Sequence, residues 1–198
     1  MKQGQINRGT LLGDKIYGMC RQSNVNTIVD IGTWNGMGTT KCIYDAVIGT
    51  RKEVYSLECN KIRHEEAKIN LGFIPSTFKL IHGTIVDAKE LQPIMDTLEN
   101  DTLKGWLKDD LNWLRSTPNV LNQLPEKIDV CIIDGGEFSG DLEFFKLWQK
   151  CHYIILDDTN AIKHKKTKEF ILSNPDKFKV LDDNVTHRNG YLICEVIC

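Results

Sequence analysis

The features that would place this chain across or outside a membrane are missing from its sequence. Its 198 residues contain no apolar run near the ~20 residues that a membrane-spanning helix needs. The N-terminal stretch Met-Lys-Gln-Gly-Gln-Ile-Asn-Arg lacks the apolar core of a secretory signal. We therefore expect a cytoplasmic protein with no membrane partner.

Cysteine pairs at the spacing of zinc or redox motifs are also missing. The chain has seven cysteines, an odd number, and no Cys-x-x-Cys pair. Cys42, Cys131 and Cys194 lie inside apolar segments. This pattern predicts buried thiols in a reducing compartment and argues against a zinc site.

An excess of basic residues is missing as well. The 25 lysines and arginines are outnumbered by 27 acidic residues, which gives a formal net charge of −2. Proteins that bind nucleic acid through their charge need a strong basic field, so we expect no nucleic-acid partner. We interpret the one cationic run, residues 163–168, as the solvated face of a helix.

The most informative stretch is residues 28–40, Ile-Val-Asp-Ile-Gly-Thr-Trp-Asn-Gly-Met-Gly-Thr-Thr. An apolar run ends in an acid, and a glycine-spaced loop then opens onto a helical pattern. This order predicts a strand, a tight turn and a helix N-terminus, where a nucleotide-like ligand can bind. The spacing of Gly32, Gly36 and Gly38 differs from the G-x-G-x-x-G pattern of dinucleotide sites.

Strand and helix patterns alternate along the chain, and this alternation predicts an α/β fold. We expect a single domain, residues 1–198, with a doubly wound, mostly parallel seven-stranded sheet and a C-terminal antiparallel hairpin. The predicted strands are residues 27–31, 53–57, 78–82, 128–133, 153–156, 178–181 and 191–197, and the main predicted helices are residues 5–22, 37–48, 61–71, 140–150 and 161–172.

The connection between the third and fourth strands is longer than a crossover requires. Residues 87–126 contain two helical patterns, near 89–98 and 103–114. They predict a helical insertion placed to cover the ligand site. We expect Trp106 and Trp113 on its second helix to pack in the core.

Acidic residues lie at the ends of four of the five predicted parallel strands, namely Asp30, Glu58, Asp134 and the pair Asp157-Asp158. The carboxyl ends of parallel strands meet at one edge, where ligands bind. Because neighbouring carboxylates repel, we expect a cationic ligand or a metal ion among them. An acid at the position of Glu58 accepts hydrogen bonds from ribose hydroxyls in nucleotide-binding α/β folds.

Taken together, these features resemble the class I S-adenosylmethionine-dependent methyltransferases over nearly the whole chain. Residues 28–40 resemble their first motif, Glu58 matches the acid of their second strand, and the antiparallel last strand is the hallmark of their fold. The segments Asp-Gly-Gly-Glu at 134–137 and Leu-Asp-Asp-Thr at 156–159 resemble the small O-methyltransferases. That group includes metal-dependent catechol-type enzymes and sugar O-methyltransferases.

The resemblance implies a binding site for S-adenosylmethionine at the carboxyl edge of the sheet. The glycine loop would shape the pocket for the methionine part, and Asp30 would orient its amino group directly or through water. Glu58 would bind the ribose, beside an adenine site at Gly83 and Thr84. The implied cofactor-binding residues are Asp30, Gly32, Asn35, Gly36, Gly38, Glu58, Gly83 and Thr84.

The resemblance also implies a divalent cation, such as Mg²⁺, bound by Asp134, Asp157 and Asp158. Many relatives have a histidine or lysine three residues after the acid of the fourth strand, which serves as the general base or lies near it. This chain has Glu137 there, so we assign the catalytic roles to Glu137 and Asp134. The reserve candidates for the base are His164 and His187.

The expected reaction is methyl transfer to a hydroxyl of a small molecule or glycan, with a sugar hydroxyl preferred. A catechol or phenol is the alternative acceptor. Three other readings remain open: a non-catalytic S-adenosylmethionine-binding module, a nicotinamide-dependent oxidoreductase and a nucleic-acid methyltransferase. The sequence does not fix an oligomeric state.

Overall fold

The computed structural model describes residues 3–197, whose strands form a seven-stranded sheet. Across the sheet the strands lie in the order β3-β2-β1-β4-β5-β7-β6, and β7 runs antiparallel to both β5 and β6. This confirms the predicted sheet. The strands are β1 (Thr27–Ile31), β2 (Glu53–Glu58), β3 (Phe78–His82), β4 (Ile128–Ile133), β5 (Cys151–Asp157), β6 (Phe178–Asn184) and β7 (Tyr191–Val196).

Helices cover both faces of the sheet. Within residues 3–197, no helix combines the length and apolarity needed to cross a membrane. The helices are α1 (Leu11–Arg21), α2 (Thr39–Val47), α3 (Lys61–Leu71), α4 (Ala88–Leu91), α5 (Asp101–Ser116), α6 (Gly140–Leu147) and α7 (Lys165–Ser173), with 3-10 turns at Gln92–Thr97, Leu121–Gln123, Trp148–Lys150 and Ile162–His164.

The sheet separates two hydrophobic cores. Successive residues of a strand point to opposite faces, so Ile28 of β1 packs with α1 and α2, and Val29 packs with α5 and α6. Both residues are fully buried, as expected of a central parallel strand. The predicted buried thiols Cys42, Cys131 and Cys194 are free and fully buried.

The long connection after β3 contains α5, but its aromatic residues do not pack as expected. Leu107, Leu111 and Leu114 form the buried stripe of α5. Trp106 is 52% exposed and Trp113 is half-buried. The prediction that both tryptophans pack in the core is therefore wrong, because the leucines at helical spacing fill that face instead.

The cationic run at residues 163–168 also differs from expectation. Lys163, His164 and Thr167 are buried, whereas Lys165 and Lys166 are exposed. The run begins in a 3-10 turn that enters the interior before α7 starts. Its interpretation as a wholly solvated helix face is wrong.

The glycine loop after β1 is held close to neighbouring backbone. Gly32 has φ +100°, and a Cβ atom on it would lie 2.3 Å from the carbonyl oxygen of Asp134 after β4. Gly36 has φ +79°, and a Cβ there would lie 3.1 Å from the Cβ of Ala67 in α3. Gly32 therefore lets the loop cross the end of β4, and Gly36 lets α3 pack against the loop.

We expect Gly32→Ala to lower the free energy of unfolding by more than about 2 kcal/mol, because the new Cβ meets backbone and φ is positive. The matched control is Gly18→Ala in α1, where no atom of the described part of the chain lies within 4 Å of the added Cβ. That change should stabilise the helix by about 0.5–1 kcal/mol. Urea midpoints measure both effects. Equal stability of Gly32→Ala and wild type would contradict the close approach.

Candidate functional site

A cleft of about 580 Å³ opens at the carboxyl edge of the parallel strands. The loops that follow β1 to β5 all contribute to its walls. Its volume is within the range of sites that bind small molecules and cofactors. Five of the eight predicted cofactor residues line it: Gly32, Gly38, Glu58, Gly83 and Thr84.

Glu58 lies at the end of β2 with its carboxylate held by backbone amides. The amides of Trp34 and Asn60 donate to it at 2.6 and 2.8 Å. Burial raises the pKa of Glu58 to about 7, and the two amide hydrogen bonds oppose this increase. Because a carboxylate has about four acceptor positions, Glu58 can still accept hydrogen bonds from a ligand in the cleft.

Asp30 lies beneath the glycine loop, outside the cleft lining. The hydroxyls of Thr40 and Ser56 each donate to its Oδ2 at 2.7 Å. Burial raises its pKa to about 6, and those hydrogen bonds oppose the increase. Asp30 is therefore not placed to contact a ligand in the cleft directly. Its buried Oδ1 receives no hydrogen bond from any group within residues 3–197.

Asn35 and Gly36 also lie outside the cleft lining. The side chain of Asn35 accepts from the amide of Met37 at 3.0 Å, and its carbonyl accepts from Asn70 at 2.9 Å. Gly36 packs against Ala67 of α3. These contacts shape the loop, so both residues are placed to support the site indirectly.

Helix α5 supplies part of the cleft wall through Asp110, Trp113 and Leu114. Thr117 after α5 donates to the carbonyl of Cys59 at 2.7 Å, which ties the helix to the end of β2. Burial, followed by the charge of Glu137, raises the pKa of Asp110 to about 6. The sequence predicted that this insertion covers the site. It did not predict which residues of α5 line the cleft, because that depends on how the helix is rotated about its axis.

The N-terminal residues 3–6 also line the cleft, and the helix predicted over residues 5–22 begins only at Leu11, as α1. The amide of Gly4 donates to the carbonyl of Met37 at 2.8 Å. A Cβ on Gly4 would lie 2.5 Å from the Cα of Gly38. The apolar spacing of residues 5–22 predicts a helix, but it does not show that the first residues lie across a distant loop.

The predicted metal ligands Asp134, Asp157 and Asp158 do come together. One carboxylate oxygen from each lies within 4.8 Å of the others. Burial, followed by the charges of Asp134 and Asp158, raises the pKa of Asp157 to about 7. The convergence follows from the adjacent positions of β4 and β5 in the sheet.

Two basic side chains contact these carboxylates, and the sequence pattern predicted neither contact. Lys163 Nζ donates to Asp134 Oδ1 at 2.9 Å, and Arg188 Nη1 donates to Asp157 Oδ2 at 3.1 Å. Burial lowers the pKa of Lys163. The charge of Asp134 and its hydrogen bond together have the larger, opposite effect, so the pKa is raised above its ordinary value. Lys163 is therefore an ammonium ion near neutral pH.

Glu137 lines the cleft beside this cluster and is half-buried. Burial and the charge of Asp158 raise its pKa, while the charge of Lys163 lowers it. Glu143 of α6 is a further buried acid on the cleft wall, and burial raises its pKa to about 7. Glu137 remains the candidate base with access to a ligand.

Neither reserve base lines the cleft. His164 is fully buried and donates from Nε2 to the carbonyl of Ile133 at 3.2 Å. Burial, followed by the charge of Lys163, lowers its pKa to about 3. His187 packs edge-on against the ring of Tyr191. These positions favour structural roles for both histidines.

Comparison with solved structures identifies the architecture. A Staphylococcus aureus protein provisionally assigned as a caffeoyl-CoA O-methyltransferase matches with a TM-score of 0.64 and 15% identity, covering 98% of this chain and 86% of that chain. The Bacillus cereus O-methyltransferase in complex with SAH matches with a TM-score of 0.61 and 15% identity, covering 98% and 84%.

The fold is that of the O-methyltransferases. TomG from Streptomyces achromogenes, an O-methyltransferase involved in tomaymycin synthesis and solved with SAM, matches with a TM-score of 0.57 and 12% identity, covering 94% of this chain and 80% of that chain. No family model and no curated protein matches the sequence. The resemblance found in the sequence is thus confirmed at the level of the fold.

We expect the ring of His164 to stay neutral from pH 8 to pH 5, since its pKa of about 3 lies below that range. The NMR chemical shifts of its ring nitrogens and of its carbon-bound ring protons should not change over this range. His164→Gln identifies the signals by their loss. A protonation midpoint above pH 5 would contradict the buried, neutral ring.

Proposed function

We propose that this chain transfers the methyl group of S-adenosylmethionine to a hydroxyl oxygen of a small molecule. One observation carries the proposal: the cleft has the amide-held carboxylate of Glu58 on one side and the acidic cluster with Glu137 on the other. The first group suits a ribose, and the second suits an acceptor hydroxyl.

The residues of the cleft fit S-adenosylmethionine. Glu58 retains acceptor positions for ribose hydroxyls, and Gly83 and Thr84 lie beside it where an adenine would bind. The backbone at Gly32 and Gly38 leaves room for the methionine part. Carboxylates along the edge favour a ligand with a sulfonium and an ammonium charge. Asp30 would act through the loop it supports.

The sulfonium supplies an already activated methyl group, so the chain has to orient the acceptor and remove its proton. The acceptor oxygen forms the new O–C bond while the S–C bond breaks. The electron pair of the broken S–C bond remains on sulfur. The hydroxyl proton goes to the carboxylate of Glu137, which lines the cleft. Its raised pKa makes it a better proton acceptor than an ordinary exposed glutamate. Asp134 holds Lys163 beside this site.

The divalent cation that the sequence predicted at Asp134, Asp157 and Asp158 is not part of this proposal. The oxygens converge, but Lys163 and Arg188 already pair with them. An ion bound there would have to lie beside a buried ammonium or displace it from Asp134, so the residues as arranged do not fit it. We derive no step of the transfer through a metal ion.

A phenolic hydroxyl is the acceptor that this arrangement favours. A phenol has a pKa of about 10, well below that of an aliphatic hydroxyl, so a carboxylate base can deprotonate it more readily. Trp34 and Trp113 on the cleft wall can stack on a planar ring. One similar structure carries the provisional caffeoyl-CoA assignment. The sugar or glycan acceptor expected from the sequence is the second candidate.

An acceptor panel separates these readings. Catechol and a simple phenol should release S-adenosylhomocysteine faster than a methyl glycoside with a vicinal diol, as measured by mass spectrometry. Faster turnover of the glycoside would restore the sugar acceptor. Cofactor binding without turnover of any acceptor would favour the non-catalytic binding module.

We expect Glu58→Gln to weaken S-adenosylmethionine binding about 10- to 100-fold, because hydrogen bonds to a charged group are replaced by weaker ones. Wild-type affinity should increase as pH rises through about 7, where Glu58 ionises, and the variant should lack this dependence. Calorimetry from pH 6 to 8 measures both. The control is Glu53→Gln at the exposed start of β2. Unchanged affinity of Glu58→Gln would refute the ribose assignment.

We expect Glu137→Gln to lower turnover by about 100-fold or more, since a glutamine cannot accept the proton. Affinity for S-adenosylmethionine should stay the same, because Glu137 faces the acceptor. Glu169→Gln on the exposed side of α7 is the matched control. Full turnover in Glu137→Gln would assign proton removal to another group.

A further inference from the structure

The three carboxylates after β4 and β5 are each paired with a basic side chain of the same chain. Lys163 Nζ lies 2.9 Å from Asp134 Oδ1 and 3.8 Å from Asp158 Oδ2. Arg188 approaches from the turn before β7, 3.1 Å from Asp157 Oδ2 and 3.6 Å from Asp158 Oδ1. Two cations thus bridge the set of acids where an ion would lie.

The backbone fixes Lys163 in this position. It lies in the 3-10 turn Ile162–His164, and its side chain is only 3% exposed. The adjoining His164 ring bonds to the end of β4. A Cβ on Gly140 would lie 2.7 Å from the carbonyl oxygen of Lys163, so the start of α6 closes directly on the turn. Lys163 is therefore built into the edge of the sheet.

The charges of the cluster are nearly balanced without any ion. Three carboxylates and two basic groups leave at most one net negative charge. An added divalent cation would lie beside Lys163 and Arg188, and their repulsion would oppose its binding. Displacing Lys163 instead would leave a buried ammonium without its partner Asp134, which is unfavourable.

We propose that Lys163 and Arg188 take the place of a divalent cation at Asp134, Asp157 and Asp158, and that the Lys163 ammonium donates a hydrogen bond to the acceptor oxygen. Lys163 and Glu137 both line the cleft, and they are close enough for the charge of Lys163 to act on the Glu137 carboxyl, so the acceptor hydroxyl would lie between them. The ammonium then makes the hydroxyl more acidic while Glu137 accepts its proton. This second role rests on the proposed methyl transfer, whereas the replacement of the ion does not.

Binding of Mn²⁺ to the free protein tests the replacement without any methyl donor. By calorimetry and electron paramagnetic resonance, wild type should show no saturable binding below millimolar Mn²⁺. Lys163→Met, which removes the charge but keeps most of the volume, should bind Mn²⁺ at least 10-fold more tightly. Adding Asp134→Asn to that variant should abolish the gain. Lys166→Met, at an exposed lysine of the same run, is the control and should behave as wild type.

Arg188→Gln gives an independent route, because its side chain lies at the surface end of the cluster and is 22% exposed. It should also gain Mn²⁺ affinity, and circular dichroism reports whether each variant is folded. Micromolar Mn²⁺ binding by wild type, lost in Asp134→Asn, would overturn the proposal. The proposal would also be overturned if the Lys163→Met and Arg188→Gln proteins are folded and bind Mn²⁺ no more tightly than wild type.

Turnover tests the role of Lys163 toward the acceptor. With an accepted phenol, wild-type turnover should be unchanged by a chelator. Lys163→Met should lose at least 10-fold in turnover while its S-adenosylmethionine affinity is retained, and Lys163→Arg should recover part of the loss. A 10-fold decrease of wild-type turnover on chelation would overturn the proposal, as would full turnover in Lys163→Met.

Discussion

Carboxylates gathered at one edge of a parallel sheet have to be compensated, and this requirement shapes the whole candidate site. The sheet places the ends of β1, β2, β4 and β5 side by side, so their terminal acids share one buried region. Asp30 is compensated by hydroxyl groups and Glu58 by backbone amides. The acids after β4 and β5 are compensated by Lys163 and Arg188 instead. Neutral donors lie on the side proposed for the cofactor, and ionic donors lie on the side proposed for the acceptor.

The close approach of backbone segments is the second constraint. Gly32 allows the loop after β1 to cross the end of β4, and Gly4 allows the N-terminal segment to lie on Gly38. Gly140 allows the turn that carries Lys163 to reach the cleft. At each of these glycines, a side chain would push two backbone segments apart.

Much of the fold was predictable because its signals are local. Central parallel strands are apolar on both faces, and helix starts and stops carry caps, such as Asn60 and Gly72 on α3. The bounds of β1, β3 and α3 follow directly from such patterns. The acids at the strand ends were predictable for the same reason. The role of α5 was harder, because amphipathic spacing does not say which of its residues will face a cleft.

The sequence by itself determined three features of the sheet. These are an acid at the end of each central strand, a glycine turn after the first strand, and an antiparallel last strand. Only the tertiary structure decided what neutralises those acids. Lys163 looks like part of a charged surface run and Arg188 like part of a polar turn, and each lies more than 20 residues from Asp134. Their pairing depends on the side-by-side placement of β4, β5 and β7, which is a long-range property. The physical reason is that charge is compensated through space, whereas a sequence pattern reports only neighbours along the chain.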